Sequence, residues 1–340
     1  MSMPTRNLAD RSLGCIGYET PDAQAFEAIK SAIDAGSNFI NSGEFYGQPE
    51  RTLGLQLLAR FFKAEPTYGE KMFLSVKGAV RPNWKADSSD EYLLESVTNI
   101  NKLLGGSKKM DLFQPARVDT TRPIEEVRQT PYAERSSMSD TPALQTMAAL
   151  QKLKEAGHFK YIGLSEVSAK TIRRANAVAP VAAVEIEYSP WTLDVEHNEV
   201  LSTCKELGIA IIAYSPLGKG FLTGKLKSVA DIPAGDHRLD FDRFLPENFP
   251  KNLVLVDKLV AIAEKKGVTT PQLALAWLLA QWEGIIPIPG STRPDGVKEA
   301  AAAAFVKLSP EELKEIRETV DNADVVGLRY HAGVEHTLAK

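Results

Sequence analysis

Apolar residues along the chain fall into two alternating patterns. Short runs of five to eight mostly apolar, β-branched-rich residues read as strands, and longer stretches with apolar positions every three or four residues read as helices. The strand-like runs are SLGCIG (12–17), SNFIN (37–41), KMFLSV (71–76), MDLFQPAR (110–117), YIGLS (161–165), AAVEIEYS (182–189), GIAIIAYS (208–215) and GIIPIPG (284–290). Between them lie helical patterns at 23–36, 51–62, 90–104, 143–157, 168–179, 195–208, 252–267 and 271–282. Gly36 is placed to cap the first helix, and Gly105 and Gly106 to stop the third. Eight strands alternating with helices predict an α/β fold, a (β/α)8 TIM barrel running as a single domain over 1–340. Strands this apolar suit a parallel sheet covered on both faces. A doubly wound sheet is the competing arrangement, weakened because no GxGxxG turn follows the first strand.

Two segments interrupt the alternation. Residues 128–142, RQTPYAERSSMSDTP, carry two prolines and many polar side chains, and predict an inserted surface loop. Residues 218–250 are longer and mix aromatics with charges. Following the C-terminal end of a barrel strand, they are expected to cover the site.

Composition narrows the function classes. The 340 residues are 44% hydrophobic and 25% charged, enough for a large core with a soluble surface. A net charge of −4 and no basic stripe argue against nucleic acid or a membrane surface as partner. No apolar run of about 18 residues predicts a membrane span, and MSMPTRNLADRS at the start lacks the apolar core of a secretory signal. A cytoplasmic protein is expected. Cys15 and Cys204 form no metal or redox spacing; both read as small buried hydrophobes, and no metal site is expected.

In such a barrel the chemistry sits at the C-terminal ends of the strands. Those ends carry Asn41, Glu44 and Tyr46, then Lys77, Ala116 and Arg117, Ser165 and Glu166, Glu185, Tyr214 and Ser215, and Gly290, Ser291, Thr292 and Arg293. A phenol titrates near ~10, too high for a proton donor at neutral pH unless a nearby ammonium stabilises the phenolate. Tyr46 and Lys77, at adjacent strand ends, have the chemistry to protonate a developing alkoxide together. Taken singly, each reads equally as a half-buried tyrosine and a solvated lysine. The Gly-Ser-Thr-Arg turn opens a helix, where free N–H groups, the helix dipole and a guanidinium all favour phosphate.

The stretches NSGEFYG, FLSVKG, DLFQPARVD, IGLSEVSA, AAVEIEYS, IIAYSPLGKGFLTGK, IPIPGST and GLRY together resemble the aldo-keto reductase superfamily over nearly the whole chain. Within it, GEFYG, ARVD and GLSE are most similar to the fungal pyridoxal reductases. The resemblance implies an NADPH-dependent carbonyl reductase with Tyr46 as general acid assisted by Lys77, and Asn41 in the catalytic group. It further implies that Ser165, Glu166 and Glu185 bind the nicotinamide carboxamide and Tyr214 stacks on the ring. Ser215, Leu217, Gly218, Gly220 and Lys225 would line the pyrophosphate. Gly290, Ser291, Thr292 and Arg293 would hold the adenosine 2′-phosphate. The implied substrate is a small aldehyde, with pyridoxal the first choice.

Four positions depart from the family pattern. Asn41 replaces an aspartate, which would deprive Lys77 of its ion-pair partner. Ala116 replaces the histidine that orients the substrate carbonyl. Glutamates occupy 166 and 185, and Gly296 and Ala300 replace an arginine and an asparagine beyond the phosphate turn, leaving Arg293 as the main 2′-phosphate contact. Strand alternation then puts Ala116 on the site face and Arg117 away from it. Glu44 is left between two readings, a contact to the hydroxyl and ring nitrogen of pyridoxal or a solvated rim residue. A broad aldehyde and ketone reductase and a slow redox-sensing NADPH-binding subunit remain as alternatives.

Overall fold

The computed structural model describes residues 20–47, 50–119 and 146–330. Seven strands, β1 (Phe39–Gly43), β2 (Phe73–Gly78), β3 (Leu112–Pro115), β4 (Tyr161–Ser165), β5 (Val181–Glu187), β6 (Ala210–Tyr214) and β7 (Ile285–Pro287), form one sheet in chain order. Every pairing is parallel. They coincide with seven of the eight predicted strands; the first, 12–17, and the insertion at 128–142 lie outside the described residues.

Helix α1 (Asp22–Asp34) precedes β1. After β1 come α2 (Leu53–Ala64) and a short α3 (Pro66–Lys71), and after β2 comes α4 (Asp90–Leu103). Helix α5 (Thr146–Glu155) leads into β4 and α6 (Ala169–Val178) into β5. The stretch predicted as one helix at 195–208 is two, α7 (Asp194–His197) and α8 (Val200–Leu207), because Glu199 takes a left-handed backbone (φ 64°) between them. Helices α9 (Phe249–Lys266) and α10 (Thr270–Gln281) separate β6 from β7. Helices α11 (Pro294–Ala302) and α12 (Pro310–Asp321) follow. The sheet curls until α11 packs on α1 at its other edge, where Gln24 donates to the Thr292 carbonyl at 2.8 Å.

Strand alternation produces two cores. Outward residues such as Leu74, Val76, Phe113, Val184 and Ile186 pack against the helices. Inward residues Phe39, Leu112, Ala183, Ala210, Ile212 and Ile286 fill the barrel. Toward the strand C-termini the same inward registers turn polar, with Asn41 and Gln114 fully buried and Glu185 2% exposed. That change of chemistry along one face positions the site.

The segment predicted to cover the site packs around a cluster of aromatic rings. Its Phe221 stacks on Trp191 at 4.5 Å between centroids, and Phe244 and Phe249 pack edge-on to Phe221 at 5.6 and 4.9 Å. Gly218 (φ 57°) is required there, because a Cβ would lie 2.6 Å from the Trp191 ring.

Candidate active site

Lys77, on β2, is 5% exposed and its Nζ donates to Asn41 Oδ1 at 2.6 Å and to Glu185 Oε1 at 2.9 Å. Asn41 and Gln114 donate through their amides to the other oxygen, Glu185 Oε2. The expectation that Asn41 leaves Lys77 without an ion-pair partner is therefore corrected. The carboxylate comes from β5 instead of β1, and with it the position implied to bind the carboxamide is engaged with the lysine. Gly163 makes room for this arrangement: a Cβ there would lie 2.8 Å from Leu112 and 2.9 Å from Gln114 Oε1.

Tyr46 is half-buried at the mouth, and Lys77 Nζ stands 5.0 Å from the centroid of its ring. Its ring leans over Gly43, where a Cβ would come within 3.1 Å of it, and makes a T-shaped contact with the Phe45 ring. Glu44 adopts neither of the two readings. It turns away from the cavity onto α4, accepting from Ser96 Oγ at 2.6 Å and Asn99 Nδ2 at 2.8 Å. Burial raises its pKa, outweighing these hydrogen bonds and the attraction of Arg51.

Arg117 is the second correction. β3 ends at Pro115, so alternation no longer governs the next two residues, and Arg117 turns inward. It lines a narrow cavity with Pro115, Leu164, Ser165 and Val167, and its Nη1 donates to the Ala116 carbonyl at 2.6 Å. Burial alone would lower its pKa; attraction from Tyr214, Tyr330, Glu166 and Tyr46 raises it instead. Ala116 itself is buried, 2% exposed.

A second buried cluster lies beside it. Glu166, at the end of β4 with a left-handed backbone (φ 49°), accepts from Tyr214 at 2.7 Å and pairs with Arg329 at 3.1 Å. Glu187 pairs with Lys219 at 3.1 Å and Arg329 at 3.8 Å. Burial opposes the Glu187 charge, but Lys219, Arg329 and Arg243 prevail and hold its pKa below the usual range. Burial and then Glu166 push the Tyr214 phenol well above its ordinary pKa, so it stays a donor. Tyr330 donates to the Tyr214 oxygen at 3.3 Å. Of these, Gln114, Glu187, Lys219, Arg329 and Tyr330 were not named from the sequence as site residues and stand only within the resembling stretches, Arg329 and Tyr330 in GLRY.

A separate groove brings together Leu217, Lys225, Gly290, Ser291 and Arg293 of the implied cofactor set, with Gly296 and Ala300 on its wall. Ser291 Oγ accepts from the Arg293 N–H and donates to its carbonyl, both at 3.1 Å, which shapes the entry to α11. A Cβ at Gly296 would lie 2.6 Å from Ser291 Oγ, so a larger residue there would displace this hydroxyl. Two cations, a hydroxyl and a helix N-terminus make the groove chemically fit for a phosphate. Ser215 and Gly220 of that set do not line it; both take left-handed backbones (φ 48° and 93°).

Residues 11–321 match the model of the aldo/keto reductase family. The chain belongs to this family. It is 40% identical over 327 residues to a probable pyridoxal reductase 2 of Schizosaccharomyces pombe, covering 94% of this chain and 92% of that one. It is 38% identical to the aldo-keto reductase yakc [NADP(+)] of the same organism, covering 98% and 96%, and 37% identical to a probable aldo-keto reductase 1 of Glycine max, covering 95% and 88%. A glycerol dehydrogenase structure from Gluconobacter oxydans superposes with a TM-score of 0.79 at 23% identity, over 96% of this chain and 95% of that one, which confirms the (β/α)8 fold. The family is one of oxidoreductases using a nicotinamide cofactor. Among the described residues no helix is long and apolar enough to cross a membrane, and no cluster fits a metal ion. Cys204 is buried, as expected, and burial pushes its thiol up to about 12; Cys15 lies outside the described residues.

Proposed function

We propose that this chain reduces a small aldehyde with NADPH, pyridoxal to pyridoxine being the reaction it serves. The observation that carries the reading is the half-buried Tyr46 at the barrel mouth, its ring 5.0 Å from an ammonium that Glu185 holds in place. The similarity to a probable pyridoxal reductase supports the substrate, and that to an NADP(+)-labelled relative supports the cofactor.

In this mechanism NADPH, when bound, supplies the hydride. Ser165, Glu166 and Tyr214 would hold its nicotinamide end, Ser215, Leu217, Gly218 and Gly220 its pyrophosphate, and Gly290, Ser291, Thr292 and Arg293 its 2′-phosphate; Lys225, expected at the pyrophosphate, shares the groove of Arg293 and is reassigned to the 2′-phosphate with it. Since Glu185 is engaged by Lys77, Ser165 carries more of the carboxamide contact. The Tyr46 hydroxyl gives its proton to the carbonyl oxygen, so the alkoxide never forms free in the pocket. Lys77 stabilises the phenolate left behind, and Glu185 with Asn41 keeps that ammonium aimed. A net charge of −4 accords with a small-molecule partner in place of nucleic acid.

The test is NADPH oxidation with pyridoxal against a panel of aromatic and aliphatic aldehydes, on the native protein and on Tyr46→Phe. A clear preference for pyridoxal that the variant loses supports both substrate and acid. Even activity across the panel replaces pyridoxal with a broad substrate range. Cofactor binding with no turnover on any aldehyde overturns the enzyme.

A further inference from the structure

Arg117 has no part in the mechanism above, yet its position gives it one. It lines the same narrow cavity as Ser165, and Tyr214, Tyr330, Glu166 and Tyr46 lie within electrostatic reach of its guanidinium. Glu166 is itself ion-paired to Arg329, and Asp119, also on the cavity wall, accepts the Ser88 N–H at 3.1 Å. Tying Nη1 to the neighbouring Ala116 carbonyl fixes the plane of the fork. A guanidinium is charged at every working pH and presents its N–H groups as parallel pairs, a geometry that matches two oxygens side by side.

An aldehyde offers one such oxygen. An aromatic aldehyde with a hydroxyl on the adjacent ring carbon offers two, nearly coplanar, and the second is acidic enough to become an anion when a cation faces it. We propose that Arg117 is the specificity residue of this site, gripping the carbonyl oxygen and the neighbouring phenolic oxygen of ortho-hydroxyaryl aldehydes. The carbonyl is then oriented by the fork, and Tyr46 remains the proton donor. This rests on the aldehyde-reductase reading for the identity of the site, and pyridoxal is one member of the class it selects.

The experiment separates binding from turnover. Dissociation constants of salicylaldehyde and 4-hydroxybenzaldehyde are measured by calorimetry on the NADP+-loaded protein, for the native chain, Arg117→Gln and Arg117→Lys. Melting curves and NADP+ affinity identify any variant that has failed to fold, and the native chain alone still decides. The expected result is salicylaldehyde tighter by about tenfold or more in the native protein. The ratio should fall close to one in Arg117→Gln, and in Arg117→Lys, which keeps the charge but loses the fork. A native ratio near one overturns the proposal, as does a ratio that survives in either folded variant. The kcat/KM values for both aldehydes and for pyridoxal, taken on the same samples, test the reductase reading separately. An ortho preference in binding without reduction sustains the role of Arg117 and removes the reductase.

Discussion

Lys77 and Glu185 form an ion pair across the barrel interior, 2.9 Å apart, with side-chain exposures of 6% and 3%. They stand on β2 and β5, with two strands between them in the sheet. Removing two charges from water costs several kcal/mol each, roughly recovered only when the remaining polar atoms are also satisfied. Asn41 supplies that compensation on both sides, accepting from the lysine and donating to the glutamate, and Gln114 adds a second donor. The whole polar layer rests on the apolar plug of Phe39, Leu112, Ala183 and Ile212, so the ammonium beneath Tyr46 is held from below and from the side.

Tyr46→Phe should lower kcat for aldehyde reduction by about 10²–10⁴, the usual worth of a positioned general acid. The lost hydroxyl lies at the mouth and not in the core, so the melting temperature and NADPH affinity should stay near those of the native protein. Steady-state kinetics beside fluorescence titration of the cofactor check it. Undiminished kcat would remove Tyr46 from the proton-donor role.

The phosphate groove makes a charge-specific prediction. Arg293→Ala and Lys225→Ala should each raise KM for NADPH by roughly tenfold, the scale of one charge-assisted contact, and leave KM for NADH nearly unchanged. Both residues line that groove, and their effect should shrink as salt is added. Equal losses with both cofactors would place these side chains away from the 2′-phosphate.

Glu44 gives the clearest pH signature. Its folded-state pKa is raised above the ordinary 4.5, burial being the main cause. Between the unfolded and folded values the native state therefore binds more protons, and its stability falls as pH rises through that window. Glu44→Gln removes the charge. It retains an acceptor for Asn99, and the Ser96 hydroxyl rotates to suit. The variant should melt higher than the native protein at pH 7. That gain should disappear as pH falls towards 4.5. Calorimetric melting across this range decides it, and a gain independent of pH would mean that the charge is not its origin.

Much of this architecture is legible in local pattern, because a strand buried on both faces and a helix with one apolar stripe write different periods into the chain. Each of the seven described strands overlaps a predicted run for that reason, though β1 and β2 continue two residues past theirs. Where backbone geometry overrides periodicity the pattern misleads: Glu199 breaks an apolar-periodic stretch into two helices, and the end of β3 frees Arg117 from alternation. The site is legible residue by residue, and less so as a set of contacts. Asn41 reads as a lost carboxylate, and Glu185 as a separate oddity 144 positions away. Only the folded barrel joins them, since both registers point inward at one height. Arg329 has even less local signal; its ion pair with Glu166 spans 163 positions.

The same joining predicts a compensating exchange. Glu185→Gln alone strips the buried Lys77 of its counter-charge and should cost about 3–5 kcal/mol of stability, with a fall in kcat. Asn41→Asp alone crowds two carboxylates around one ammonium and should also be worse than native. Combined, the two changes return a single carboxylate to the lysine from β1, where Asn41 Oδ1 already lies 2.6 Å from Nζ. The double variant should therefore recover most of the stability and kcat lost by Glu185→Gln, a coupling of about 1–3 kcal/mol on a double-mutant cycle. A purely structural role for Glu185 would restore the melting temperature without kcat. If the double variant is as impaired as the two single changes added together, the ion pair is not the unit that positions Lys77 beneath Tyr46.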